Sequence, residues 1–365
     1  MDRKTFLKYT SSTLAGVASG FNLSKAFGGQ KVRLRNHKLS KNWAWITETE
    51  GSVDDWKYRL EKLKKAGFDA ILPQKNFDTI IPAAEKVGIE VHAWLVSLQR
   101  GSDTEAQQKH PEWFMVNRKG QSSLSDPAYV DYYKWFCPSR KPVHEYLREE
   151  VSELLAYTEI KSIHLDYIRY PDVILPISLQ PKYDIVQDKE YSQYDYCYCS
   201  VCRQRFKEQY GTDPLELKDP AQSREWKLYR YNQVTTLVNK IALDVHEQNR
   251  LLTAAVFPTP DIARTLVRQN WPDWDLDAVL PMMYHNFYDK GLSWIAEAVK
   301  EARNELPKTT ALYSGLFVPA MDEKELAQAF EYAMDAGADG ISLFTDTAMK
   351  GKHWKNLRRV IQKGS

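Results

Sequence analysis

Asp166 and Arg169 stand three positions apart in the run Ile163-His-Leu-Asp-Tyr-Ile-Arg-Tyr-Pro171. Ile163 and Leu165 fall on one side of a period-two pattern and His164 and Asp166 on the other, so the run begins as a strand. A carboxylate on the polar side of an otherwise apolar strand is costly to bury unless it is paired or used. Arg169 is near enough in sequence to pair with Asp166 and hold it ionised, and Pro171 ends the ladder. An acid and a guanidinium at the C-terminal end of a strand are what an enzyme on a parallel barrel needs. The same two residues would also serve as a structural pair that closes the strand. A second cluster, Cys197, Cys199 and Cys202, has Cys-x-Cys-x-x-Cys spacing, with Cys137 the only other cysteine. Three thiolates with a fourth ligand suit structural zinc. In an oxidising compartment four cysteines would equally make two disulfides. On either reading the cluster staples a loop and does no chemistry.

These residues need elements to position them. Residues 41–47 read as a strand, and 53–66 have helical periodicity through Trp56, Leu60 and Leu63, closing at Gly67. A second strand over 68–73, a helix over 77–87 ending at Gly88, and a third strand over 89–97 follow at the spacing of βα repeats. A connection over 98–141 holds Trp113 and Trp135 and is too long for an idle loop. The helix over 143–157 feeds a fourth strand over 161–168, which carries Asp166. A second, Tyr-rich excursion runs on to Pro220 and contains the cysteines. Strands over 251–257, 276–284, 308–316 and 341–345 then alternate with helices over 224–248, 261–269, 294–304, 323–336 and 353–362. This alternation predicts an α/β fold, a (β/α)8 TIM barrel, with long loops after strands 3 and 4. Thr47-Glu-Thr-Glu-Gly51 offers no glycine-rich phosphate loop after strand 1, which disfavours a dinucleotide fold.

Composition narrows the partners. A net charge of +2 and a pI near 8.1, with no basic run interleaved with aromatics, give no footprint for nucleic acid. No apolar run is long enough to span a membrane. The 11 Trp and 21 Tyr, many in predicted loops, suit a ligand with flat apolar faces such as carbohydrate. At the start of the chain, Arg3-Lys-Thr-Phe-Leu-Lys8, a weakly apolar stretch and Ser24-Lys-Ala26 have the layout of an export signal. The charged run is similar to a twin-arginine signal, with Lys4 at the second arginine. The expected organisation is a signal over 1–26, a linker over 27–40 and one barrel domain over 41–365, exported to the periplasm or beyond.

The run His164-Leu-Asp-Tyr-Ile-Arg-Tyr-Pro171 resembles the signature of the bacterial glycosyl-hydrolase-like family 10 proteins. His110-Pro-Glu-Trp113, the stretch from Cys197 to Phe206, and Gln269-Asn-Trp-Pro-Asp-Trp274 leading into Val279-Leu-Pro-Met-Met-Tyr284 match in the same order. The resemblance spans roughly Trp43 to Phe344; Asn270 stands where the family pattern has Asp. It implies a TIM-type glycosidase fold acting on a poly- or oligosaccharide, with no cofactor needed for catalysis. Such hydrolysis usually needs two carboxylates, about 5–5.5 Å apart for retention and about 6.5–9.5 Å for inversion. The resemblance makes Asp166 the nucleophile or the group that steadies the oxocarbenium ion. Asp261 after strand 5 and Asp346 after strand 8 are candidates for the second acid, with Glu48 and Asp289 behind them. Asp261 would equally cap the helix that follows. Tyr284 and His285 end strand 6, and in chitinase-like barrels a tyrosine there assists a substrate N-acetyl group, so that one carboxylate suffices. His92, His164, His285 and Arg169 are candidate sugar-binding groups, and Trp94, Trp113, Trp135 and Phe317 candidate platforms. A non-catalytic carbohydrate-binding barrel is the alternative from another class.

Overall fold

The computed structural model describes residues 42–363; the expected export signal and linker lie outside the described residues. The strands pair in chain order: β1 (Asn42–Trp45), β2 (Ala70–Leu72), β3 (Glu90–Val96), β4 (Ser162–Asp166), β5 (Leu251–Val256), β6 (Ala278–Pro281), β7 (Ala311–Phe317) and β8 (Gly340–Phe344). All neighbours are parallel, and β8 returns to β1 to close the barrel. The intervening helices are α1 (Val53–Lys65), α2 (Phe77–Val87), α3 (Thr104–Lys109), α4 (Lys141–Leu155), α5 (Ser200–Tyr210), α6 (Arg224–Glu247), α7 (Pro260–Val267), α8 (Trp294–Glu305), α9 (Glu323–Asp335) and α10 (Gly351–Lys363). The expected (β/α)8 barrel is thus the observed fold. Its long excursions after β3 and β4 carry α3 and α5, which the sequence pattern did not separate from loop. No helix among the described residues is long and apolar enough to cross a membrane.

Local chemistry sets the boundaries. Ser52 and Asp55 form a reciprocal capping box that starts α1, and Asp322 with Glu325 does the same for α9. Gly88 closes α2 at φ +71°, a conformation a side chain would resist.

Two apolar layers follow from the period-two strands. Outward residues such as Ile71, Ile163, Leu165 and Val279 pack under the helices. Inward residues, with Trp43, Trp45, Leu72, Trp94, Leu280 and Tyr313 the largest, fill the barrel itself. That interior is solid, as barrel cores of this size are. It also contains polar pairs: His92 Nδ1 lies 2.7 Å from Ser162 Oγ, and His164 Nδ1 lies 2.8 Å from Thr253 Oγ1. Burial lowers the pKa of both histidines, so they are neutral fillers at physiological pH.

The interior leaves no spare room where β7 passes β6. A Cβ on Gly315 would lie 2.7 Å from the Pro281 carbonyl oxygen and 3.1 Å from Met282 Cα, both backbone atoms. Gly315→Ala is therefore expected to destabilise the barrel by about 1–3 kcal/mol, read as a lowered midpoint in chemical denaturation. An unchanged midpoint would show that the two strands can separate at this crossing.

Candidate active site

The register of β3 on β4 sets Trp94 against His164 and Val96 against Asp166, so the two strand ends rise together. Above them opens a cleft of about 480 Å³ on the C-terminal face of the barrel. Asp166 stands on its floor. Trp94 Nε1 donates to Asp166 Oδ2 at 3.0 Å, and the Tyr167 backbone N–H donates to Oδ1 at 2.7 Å. Tyr167 takes φ +50°, a left-handed conformation uncommon outside glycine. The turn folds its own N–H back onto the carboxylate while its ring lines the cleft.

The expected Asp166–Arg169 pair does not form. Arg169 Nη1 reaches Asp172 Oδ2 at 2.9 Å and the Tyr170 carbonyl at 2.9 Å, and Nη2 donates to Tyr133 Oη at 3.2 Å. Its guanidinium lies over the rings of Phe257, Trp135 and Tyr167 at 4.9, 5.0 and 5.4 Å. The turn at Tyr167 delivers Arg169 to the carboxylate three residues ahead of it rather than the one three residues behind. Desolvation by the cleft floor therefore prevails at Asp166 and pushes its pKa up. The Tyr167 N–H, the charge of Arg169 and the Trp94 N–H only partly offset it.

The other acids fall elsewhere. Asp261 is exposed in the first turn of α7 and does not line the cleft. The cap of α7 is Thr259, whose Oγ1 accepts from the Ile262 N–H at 3.3 Å. Asp346 is buried but bound by Arg59 of α1, with Nε and Nη2 at 2.5 and 2.7 Å. Glu48 and Asp289 are exposed and outside the cleft. The second carboxylate that does line it is Asp172, which the sequence reading passed over. Asp172 is buried and committed to Arg169 and to the Tyr133 hydroxyl.

Tyr284 lies in the cleft, its ring 5.2 Å from Phe317 and 5.5 Å from Phe287. Burial and the nearby charge of Asp166 raise its pKa, so its hydroxyl is a neutral donor. Trp94 and Phe317 line the cleft as expected of platforms, joined by Trp45 and Phe344. Trp113 and Trp135 do not. Trp113 is buried against His110, stacked at 3.9 Å, and Trp135 is fully buried beneath Arg169. Neither His92 nor His164 reaches the cleft, since both are sealed in the barrel beneath it. His285 is half-buried and also outside the lining. The upper wall is built of rings that were not singled out from sequence, Tyr129, Tyr132 and Tyr133 from the first excursion and Tyr183 from the second, with Tyr288 after β6. Their tyrosine enrichment marked the loops without telling which rings face inward. Cys137, Cys197, Cys199 and Cys202 are buried together away from the cleft lining.

Because the folded-state pKa of Asp166 is raised, the folded protein binds more protons than the unfolded chain in the window above the ordinary carboxylate value. Stability contributed by this group is then lost as pH rises through that window. Asp166→Asn removes the loss. Its melting temperature relative to the parent should increase from acid to neutral pH; a constant or decreasing difference would mean that Asp166 is not desolvated.

The sequence matches the glycosyl hydrolase-like 10 family over residues 59–333. No curated protein matches it. Among solved structures, the catalytic domain of β-amylase from Paenibacillus polymyxa is similar with a TM-score of 0.60 at 11% identity, over 89% of this chain and 98% of that one. A β-galactosidase from the psychrophilic Marinomonas ef1 gives 0.60 at 12% identity over 89% of this chain, which spans only 59% of that protein. A class V chitinase from Pseudomonas fluorescens Pf-5 gives 0.52 at 9% identity, over 88% of this chain and all (100%) of that one. At these identities the likeness is one of fold alone, the (β/α)8 barrel. With the match covering most of its length, the chain belongs to the glycosyl hydrolase-like 10 family.

Proposed function

We propose that this protein hydrolyses a glycosidic bond in a poly- or oligosaccharide outside the cytoplasm, with Asp166 as proton donor. The observation that carries this reading is a desolvated carboxyl on the floor of an aromatic cleft in a barrel of the glycosyl hydrolase-like 10 family. A carboxyl that holds its proton above the ordinary range suits the acid of the reaction. It suits less well the ionised nucleophile, or the ionised group steadying an oxocarbenium ion, expected from the sequence.

The commitment of Asp172 to Arg169 and Tyr133 bears on the second catalytic group. A sugar carrying a 2-acetamido group supplies that group itself. Asp166 protonates the leaving oxygen as the acetamido oxygen bonds to the anomeric carbon. Asp166, now ionised, then takes a proton from the water that opens the ring so formed. In this reading the Tyr284 hydroxyl, which lies in the same cleft as Asp166, holds the acetamido oxygen. Trp45, Trp94, Phe317 and Phe344 offer faces for the sugar rings.

The same commitment favours one other reading, a barrel that binds glycan without cleaving it. Product analysis on N-acetylated and deacetylated oligosaccharides separates the cases. We expect cleavage of the acetylated substrate with retention at the anomeric carbon, and a loss of about 10²–10⁴-fold in kcat for Asp166→Asn. Activity should fall as pH rises through the raised pKa of Asp166. Cleavage indifferent to acetylation and abolished by Asp172→Asn would replace substrate assistance with a two-carboxylate mechanism. Binding without cleavage of any glycan would overturn the enzymatic reading.

A further inference from the structure

Four sulfur atoms converge between the two excursions that build the cleft. Cys137 comes from the segment after β3, and Cys197, Cys199 and Cys202 from the segment after β4. All four sulfurs lie within 4.8 Å of one another, and all four residues are buried. Cys137 Sγ is 3.8 Å from Cys199 Sγ and 3.4 Å from Cys202 Sγ. A disulfide requires about 2.05 Å, and none of the four is so joined. A tetrahedron of zinc–sulfur bonds of about 2.3 Å has edges of about 3.8 Å. Both distances lie near that edge, and the others are short enough for the four sulfurs to share one ion.

The surroundings fit a ligand set. Cys199 is the N-cap of α5 and Cys202 lies in its first turn, where the partial positive charge of the helix end favours thiolates. The Val116 backbone N–H points to Cys197 Sγ at 3.4 Å, and Ser139 Oγ lies 3.1 Å from Cys202 Sγ. Such contacts fix the direction of metal-bound thiolates and spread their charge. Cys197 follows Tyr196, which bridges to Asn117 of the first excursion, and Cys137 follows Phe136, which bridges to Phe114. The four thiols therefore approach from two segments already held side by side.

We propose that Cys137, Cys197, Cys199 and Cys202 hold one structural zinc ion, and that this ion fastens the two excursions to each other. The consequence reaches the cleft, because the same two segments meet there. Tyr129 and Tyr133 of the first hydrogen-bond to Asp172 of the second, the former at 2.8 Å to its carbonyl. Zinc suits the set because it takes four thiolates as a closed shell, and four buried cysteines leave it no open position for chemistry.

Elemental analysis of the full chain, purified without added metal or chelator, should find one zinc per chain. Cys137→Ser should lose it, and prolonged chelation of the parent should lower its melting temperature. Replacement by cobalt(II) should give the visible bands of a tetrahedral ion together with intense thiolate-to-metal charge transfer. If Cys137→Ser fails to fold, denaturing the parent without reductant is decisive: one zinc and four reactive thiols should be released together. Absence of stoichiometric zinc, a mass lower by four hydrogens as two disulfides require, or a cobalt spectrum without thiolate charge transfer would each overturn the proposal.

Discussion

The site depends on which carboxylate Arg169 takes. Its pairing with Asp172 is buried on both sides, and removing either partner of such a pair costs about 3–5 kcal/mol. That pairing has two effects. It ties the loop after β4 to Tyr133 and Trp135 of the loop after β3, giving the cleft a fixed wall. It also leaves Asp166 with hydrogen bonds from Trp94 and Tyr167 but without a directly bonded cation, so burial decides its protonation. One guanidinium thus gives two neighbouring acids different settings, Asp172 bonded to it and Asp166 left to the desolvation of the cleft floor, the kind of division by environment that acid–base chemistry requires.

Floor and wall are built differently. The floor is the barrel, where Trp43, Trp45, Trp94 and Tyr313 fill the interior and two neutral histidines bond to Ser162 and Thr253. The wall consists of excursions with little regular structure, and polar ties hold it. Beside the Arg169–Asp172 pair, Asp195 is wholly buried, 2.5 Å from Arg230 of α6 and 2.6 Å from the Tyr198 hydroxyl, with Arg118 at 3.7 Å. These pairs cross-link the long loops beside their own buried rings, among them Trp113, Phe114, Trp135 and Phe136.

The fold was legible because its signals are periodic and local. Alternating residues in the strands, helical faces closed by Gly67 and Gly88, and a regular spacing of elements allow a single architecture. Asp166, Trp94, Phe317 and Tyr284 were legible for the same reason, since strand ends of a barrel point to one face. Asp172 and the tyrosines of the wall were not, because their facing depends on loop paths that no period encodes. The pairing of Arg169 with Asp166 failed on one dihedral: nothing in the residue type of Tyr167 announces its left-handed turn. Trp113 and Trp135 were misplaced as platforms because an aromatic ring in a loop serves equally well as the loop's own core, which is their place here. Asp346 sits at a strand end as expected, but a contact 287 positions away in sequence, with Arg59, takes its charge.

Burial on the cleft floor makes Asp166 keep its proton where ordinary carboxyls have lost theirs. A carboxyl-carbon NMR titration of the aspartates, with the Asp166 resonance assigned by its absence in Asp166→Asn, measures this directly. The expected midpoint for Asp166 lies above the ordinary aspartate value. A midpoint at or below that value would contradict it and would return Asp166 to the role of a permanently ionised group.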